Sequence, residues 1–449
     1  MHLVLPNFDA VIIGAGPAGA SMAIRLARAG WSVALIEKQG FPRRKVCGEC
    51  IAASNLRLLH DLGIGPAFDA SAGPALRRVT LLHGDRAATA RLPAAEHERF
   101  PWGRALGRET LDELLLAQAR AAGAVVFQPC TVRSTIGKPG AWQCDVRALD
   151  NTTTLCLRAA VLIDAHGSWE ALPSQRAKPE RCASDLFAFK ANFRDASLAE
   201  GAISVLALNG GYGGIVLADG GIVTIACCIR RDRLAALRNA APGLCAGDVV
   251  EAWLAESCSG VRDALNGAVR DGPWLSSGPL APGIRVRKHD TVFRVGNAAG
   301  EAHPILGEGM SMALQSAAML SAHLLENATQ TALVPSAQKQ AELQRRYVAA
   351  WRMEFAPRLR VAALFAHLAM RPFAAALLMK LVQAWPGLLT HGARWGGKVR
   401  QFGFNDAPAT SSGAPAIALQ VPQHSLESRT VSPRTVAPRT ISQSVASER

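Results

Sequence analysis

The first concentration of apolar positions is residues 10–13, a short unbroken run of the kind required by a parallel strand buried on both faces. Residues 17–29 then place Ala, Met, Ile and Leu at helical spacing and stop at Gly30, and residues 31–36 supply a second strand. Residues 108–122 carry Leu111, Leu114, Leu115 and Ala119 on one helical face and lead to a strand at residues 125–127, which predicts a further helix feeding the same sheet. From residue 186 to residue 230 the period shortens. Strands are predicted at residues 186–193, 202–208, 213–218 and 222–229, punctuated by Gly210, Gly211, Gly213, Gly214, Gly220 and Gly221 as an antiparallel sheet requires.

A strand at residues 291–295 precedes a glycine-rich turn and a helix running from about Gly309 to Leu325, and helices dominate from there to about Leu389. Residues 361–389 are strongly apolar, but Arg371, Pro372, Lys380 and Pro386 leave no uninterrupted run long enough for a bilayer span. The pattern predicts an interior or membrane-surface helix pair. From Asp406 the composition turns to Ser, Thr, Pro, Ala and Arg, with a five-residue near-repeat starting at Arg429, Arg434 and Arg439. Such a segment cannot bury enough surface to fold and predicts a disordered basic tail.

A chain of 449 residues exceeds the length at which one core stops growing, and 49% hydrophobic with 19% charged residues excludes disorder throughout. The formal net charge of +14 favours anionic partners. Because the arginines are scattered and no zinc-finger or RNA-binding aromatic signature accompanies them, no nucleic-acid partner is expected. The ten cysteines follow no paired framework, and the first apolar run leads into a glycine turn rather than a cleavage site, so reduced thiols and a cytoplasmic location are expected. Cys47 and Cys50 form a CxxC, but no second CxxC or nearby His pair completes a tetrahedral set, and no metal is expected.

The turn after the first strand reads Gly14-Ala15-Gly16-Pro17-Ala18-Gly19. In such a motif the first glycine permits the tight turn, the second admits a pyrophosphate against backbone, and the third lets helix pack on strand. Glu37 lies 18 residues beyond Gly19 at the end of the second strand, where a carboxylate can accept hydrogen bonds from ribose hydroxyls. Strand, turn, helix, strand and acidic terminus in this order indicate a dinucleotide site, without separating FAD from NAD.

Val295-Gly296-Asn297-Ala298-Ala299-Gly300, followed by Pro304 and Gly307-Glu308-Gly309-Met310, resembles the second flavin motif of the glutathione-reductase-type flavoproteins, specifically the superfamily of aromatic hydroxylases (group A flavoprotein monooxygenases) and geranylgeranyl reductases. Asn297 stands where that family usually places an aspartate, and an amide oxygen can still accept a ribityl hydroxyl. The segment Arg43-Arg44-Lys45-Val46-Cys47-Gly48-Glu49 is similar to the Lys-x-Cys-Gly segment of the geranylgeranyl reductases, and Arg108 opens a helix as the family's FAD-contacting arginine does. Asp164-Ala165-His166-Gly167 occupies the place of the hydroxylases' Asp-Gly motif, with His166 replacing the motif aspartate.

The resemblance implies an α/β fold: a glutathione-reductase-type (Rossmann-like) FAD-binding domain with an inserted antiparallel β-sheet substrate domain and a C-terminal helical region. The expected boundaries are residues 1–80, 99–184 and 291–325 for the FAD-binding domain, 81–98 and 185–290 for the substrate sheet, 326–405 for the helical region and 406–449 for the tail. It further implies FAD contacts from Gly14, Gly16, Pro17, Ala18, Gly19, Glu37, Lys38, Arg44, Lys45, Arg108, Val132, Asp164, Gly296, Asn297, Gly307, Gly309 and Met310.

A flavin performs the redox chemistry itself, so few catalytic side chains are expected; Cys47 and His303 are the candidates. Two activities fit. One is NAD(P)H-dependent hydroxylation of a bulky apolar or polyketide-like substrate. The other is reduction of carbon-carbon double bonds in an isoprenoid-type lipid. A third reading is a membrane-associated flavin-binding module without catalysis. The Trp-x-Trp-x-Ile signature of flavin-dependent halogenases is absent.

Overall fold

A computed structural model describes residues 2–97, 99–148, 154–168, 182–326 and 333–395; the expected tail from residue 406 lies outside them. The first strand, His2–Ile13, is flanked on both edges by parallel partners, Val33–Ile36 and Thr154–Asp164, and residues 10–13 are buried on both faces. That enclosure accounts for its unbroken apolar run. The sheet continues through Val125–Phe127 beyond Val33–Ile36 and through Phe293–Arg294 beside the end of Thr154–Asp164. An antiparallel hairpin, Cys130–Lys138 and Ala141–Ala148, extends its other side.

The parallel strands finish in register. Ile13 lies opposite both Ile36 and Asp164, and Asp164 lies opposite Arg294. Four connections therefore leave the sheet side by side: the Gly14 turn, Glu37, the turn at residues 165–168 and the Gly296 turn. The crevice outside the carboxyl ends of parallel strands is where open α/β sheets bind ligands.

The second sheet is ordered Val269–Arg270, Leu186–Arg194, Val223–Arg230, Gly211–Leu217, Ala202–Leu208, Arg78–His83, Arg86–Arg91, with Leu275–Leu280 also pairing Leu186–Arg194. All its pairs are antiparallel except Ala202–Leu208 with Arg78–His83. Alternation divides its faces. Val223, Ile225, Cys227 and Ile229 join a core with Trp253 and Val261, beneath the helices Ala246–Ser257 and Ser259–Leu265. Ala188, Tyr212 and Cys228 instead join Ala366, Ala369, Met379 and Val382 of the C-terminal helices Ala337–Ala369 and Pro372–Ala384.

The helix Gly309–Leu325 is almost wholly buried and packs on the helix Pro17–Arg28. A Cβ at Gly296 would approach the Cβ of Ala18 to 2.9 Å, so the two glycine turns are locked together.

The two sheets are joined through one buried carboxylate. Glu49 adopts a left-handed backbone conformation, φ 55°, which costs a non-glycine residue on the order of 1 kcal/mol or more. Its carboxylate accepts from the backbone N–H of Arg108 at 3.0 Å, from the Thr224 hydroxyl at 2.6 Å and from the Lys190 ammonium. Lys190 and Thr224 belong to the second sheet, whereas Arg108 opens the helix Arg108–Ala121 against the first. Arg44 adds a more exposed clasp, bonding Glu109 at 3.0 Å and Asp271 at 2.8 Å.

Removing one partner of a buried, hydrogen-bonded ion pair leaves the other charge uncompensated, at a cost of about 3–5 kcal/mol. Glu49→Ala is therefore expected to lower the urea-unfolding free energy of the full chain by that amount, and Glu49→Ala with Lys190→Met to recover most of it. A loss below about 1 kcal/mol for the single variant, the size of an exposed ion pair, would show that the pair does not join the sheets.

Candidate functional site

A cavity of about 1290 Å³ lies between the two sheets. One end is the crevice at the carboxyl ends of the first sheet; the other is an apolar chamber walled by Val79, Leu81, Ile203 and Val205 of the second sheet and by Leu378, Val382 and Leu389 of the C-terminal helices.

At the crevice end the glycines have distinct duties. Gly14 sits at φ +100°, and a Cβ there would meet the Ala165 carbonyl oxygen at 2.6 Å. At Gly19 a Cβ would fall 1.8 Å from the Gly14 oxygen, so this glycine serves helix-to-strand contact. Gly16 differs: the nearest atom to its would-be Cβ is the Arg108 guanidinium at 3.6 Å, and the position borders the cavity. The helix Pro17–Arg28 starts there with no side-chain cap, leaving its first-turn N–H groups for a ligand. Glu37 accepts from the N–H groups of Ala15 at 2.9 Å and Gln39 at 3.0 Å, which holds the turn closed while its carboxylate borders the cavity.

Cations surround this end. Arg108 is buried and pairs with Asp112 through two bonds of 2.8 Å. Arg43 is buried beside Glu37 and Asp112, yet its Nε and Nη1 find no hydrogen-bond partner among the described residues. Burial, reinforced by Arg43 and Arg108, pulls the Lys45 ammonium down to about 8 against the opposing pull of Glu37 and Asp112. Unpaired donors and a partly discharged lysine fit an oxygen-rich anion such as a pyrophosphate.

At the second turn, Asn297 donates its amide to Ser168 Oγ at 2.8 Å, which leaves its Oδ1 as the acceptor. Ser168 in turn donates to Glu301 at 2.8 Å, and Arg285 bridges Glu301 and the Asn297 carbonyl. Gly307 is left-handed at φ 64°, and nothing lies within 4 Å of a Cβ at Gly309, the first residue of its helix.

Of the residues expected from sequence, Gly14, Gly16, Pro17, Ala18, Glu37, Lys38, Arg44, Lys45, Cys47, Arg108, Val132, Gly296, Asn297, Gly307, Gly309 and Met310 all border the cavity. Arg44 does so with its guanidinium already held by Glu109 and Asp271. Three do not border it: Gly19, Asp164 and His303. Asp164 is buried against His166 and Arg294, and it is His166, Gly167 and Ser168 that reach the cavity. His303 stands behind Tyr212, whose Oη lies 3.2 Å from its Nδ1. Burial and the neighbouring His367 hold His303 at about 4, so it is neutral at physiological pH. Tyr212, Glu49 and Ser168 escaped the sequence reading; the Glu49 in the Cys47-Gly48-Glu49 run was the one visible signal.

Residues 7–197 match the protein family described as FAD binding domain. Over this segment the chain is similar to that family. Over 347 residues, 71% of this chain and 63% of its relative, it is 27% identical to Conditioned medium factor receptor 1 of Dictyostelium discoideum. Over 57 residues, 13% of this chain and 14% of the other, it is 46% identical to menaquinone reductase of Mycobacterium tuberculosis. The chain thus spans less than two thirds of the length of these relatives. The myxobacterial chondrochloren halogenase, an FAD-dependent halogenase, shares the fold at a TM-score of 0.67 and 17% identity, over 86% of this chain and 91% of that one.

An FAD pyrophosphate would favour the protonated form of Lys45, so the complex holds more protons than the free chain above pH 8. FAD affinity, read by quenching of flavin fluorescence, is expected to fall as pH rises through about 8 to 10. Lys45→Met is expected to bind about tenfold or more weakly at pH 7 and to lose this dependence. Identical pH curves for the two proteins would remove Lys45 from the site.

Proposed function

We propose that this chain is an FAD-dependent oxidoreductase that hydroxylates a bulky apolar small molecule, with NAD(P)H as reductant. One observation carries the reading: the crevice bearing the glycine turns and the apolar chamber form a single cavity. FAD supplies the hydride and oxygen chemistry when bound. The chain's own residues bind and orient. Gly16, the first turn of the helix Pro17–Arg28, Arg43 and Lys45 would hold the pyrophosphate, and Glu37 the adenosine ribose. Asn297 Oδ1 would take a ribityl hydroxyl, and the helix starting at Gly309 would set its positive end toward the ring system. The chamber's aliphatic wall selects an apolar substrate and excludes water. In balance, substrate C–H, molecular oxygen, reduced nicotinamide and a proton give the alcohol, water and oxidised nicotinamide.

The second reading, reduction of an isoprenoid-type double bond, draws on the local similarity to menaquinone reductase and on Tyr212, which sets a buried hydroxyl on the chamber wall with His303 behind it. There a hydride and a proton add across the bond, and Tyr212 is placed to hold the proton.

Oxygen dependence separates the two. FAD-loaded protein given NADH or NADPH and a panel of polyketide and prenyl compounds is expected to form hydroxylated product under air and none under argon. Equal turnover under argon, yielding a saturated product, overturns hydroxylation in favour of reduction. Protein that stays colourless and takes up no FAD contradicts both.

A further inference from the structure

The two C-terminal helices, Pro372–Ala384 and Gly387–Trp395, turn one face into the cavity and another to solvent. On the inward side Ala375, Met379 and Val382 are buried. On the outward side Phe373, Leu377 and Leu381 fall at four-residue intervals, one stripe of the helix, and Trp385 follows directly after its end, with Phe373 85% and Trp385 64% exposed. Leu388 and Trp395 extend the apolar surface, and both also border the cavity. The preceding helix adds exposed Leu364, and the junction between Ala337–Ala369 and Pro372–Ala384 bends by 105°. No single helix among the described residues is long and apolar enough to cross a membrane.

Charge on this surface has one sign. Between residues 355 and 395 the sequence holds Arg358, Arg360, Arg371, Lys380 and Arg394 and no acidic residue. Arg360, Arg371, Lys380 and Arg394 are exposed and form no ion pair among the described residues. A continuous apolar stripe with tryptophans at its rim and unpaired cations beside it matches an interfacial helix: rings settle at headgroup level and cations meet anionic lipid.

We propose that this face docks on the surface of an anionic lipid bilayer, so that the cavity mouth at Leu388 and Trp395 opens onto the membrane and an apolar substrate enters from the lipid. The docking is independent of which reaction the chamber performs. It explains why residues forming the chamber wall and residues forming the exposed stripe lie on the same two helices. It also gives the bend a use, since a helix lying flat on a bilayer must leave the axis of the long helix that carries it.

The test is co-sedimentation of the full chain, loaded with FAD, with phosphatidylcholine vesicles lacking or containing phosphatidylserine. Strong binding is expected only with phosphatidylserine, weakening as salt is raised. The sequence beyond residue 395 also holds cations, including Lys398, Arg400 and Arg429, so the deciding arm is Phe373→Asn with Trp385→Asn. Both side chains are exposed, so the variant is expected to keep FAD affinity while losing at least tenfold in vesicle binding. Vesicle binding unchanged in the variant overturns the proposal, as does absence of binding to phosphatidylserine vesicles. A wild-type dimer in sedimentation velocity that the variant abolishes overturns it as well, because the stripe would then be covered by a second copy.

Discussion

The Glu49 carboxylate is the constraint on which the cavity depends. It takes two donors from the second sheet and a third from the first N–H of the helix that carries Arg108 against the first sheet, so the position of the second sheet and the position of a cation over Gly16 are set by the same two oxygen atoms. Burying a carboxylate and an ammonium together costs several kcal/mol per ion unless their remaining hydrogen bonds are met. Here Thr224, itself hydrogen-bonded to Asn192, and a backbone amide meet them. The arrangement also accounts for the left-handed backbone at Glu49, which turns the carboxylate inward between a strand pair, Cys50–Ile51 with Arg104–Ala105, and the basic segment before it.

The basic segment is only partly neutralised. Arg43 and Lys45 face Glu37 and Asp112, while Arg108 already occupies both oxygens of Asp112. The depressed Lys45 and the unmatched donors of Arg43 are two expressions of one imbalance, an excess of positive charge in a low-dielectric crevice. A pyrophosphate would resolve it, and the uncapped helix behind Gly16 would add the favourable end of its dipole.

How far the sequence was legible follows the range of the forces involved. The Gly14 to Gly19 turn and the strand-helix-strand unit around it could be read because backbone sterics and periodicity are local. The same holds for Arg108–Ala121 and Gly309–Leu325, both found within a residue of their observed ends. The hairpin of Cys130–Lys138 and Ala141–Ala148 was missed, although Trp142, Cys144 and Val146 alternate inward, because the polar residues between them mask a short apolar pattern. The helices Arg231–Ala240 and Ala246–Ser257 were missed as well, the first because it buries nothing. Asp164 was expected at the cofactor and is instead buried beneath His166. Glu49 could not be assigned from sequence because its partners lie 141 and 175 positions away. Single charges that pair across such distances leave no periodic trace.

The crevice at Gly16 and the apolar chamber form one space, and substitution at Gly16 shows whether FAD fills it. A Cβ there meets no protein atom closer than 3.6 Å, so Gly16→Ala is expected to fold normally while projecting into the space a pyrophosphate needs. Equilibrium titration of FAD into the full chain is the measurement. Wild type is expected to bind stoichiometrically and Gly16→Ala at least tenfold more weakly, with unchanged thermal stability of the ligand-free chain. Equal affinity in the two proteins would mean that the Gly16 turn does not hold the FAD pyrophosphate.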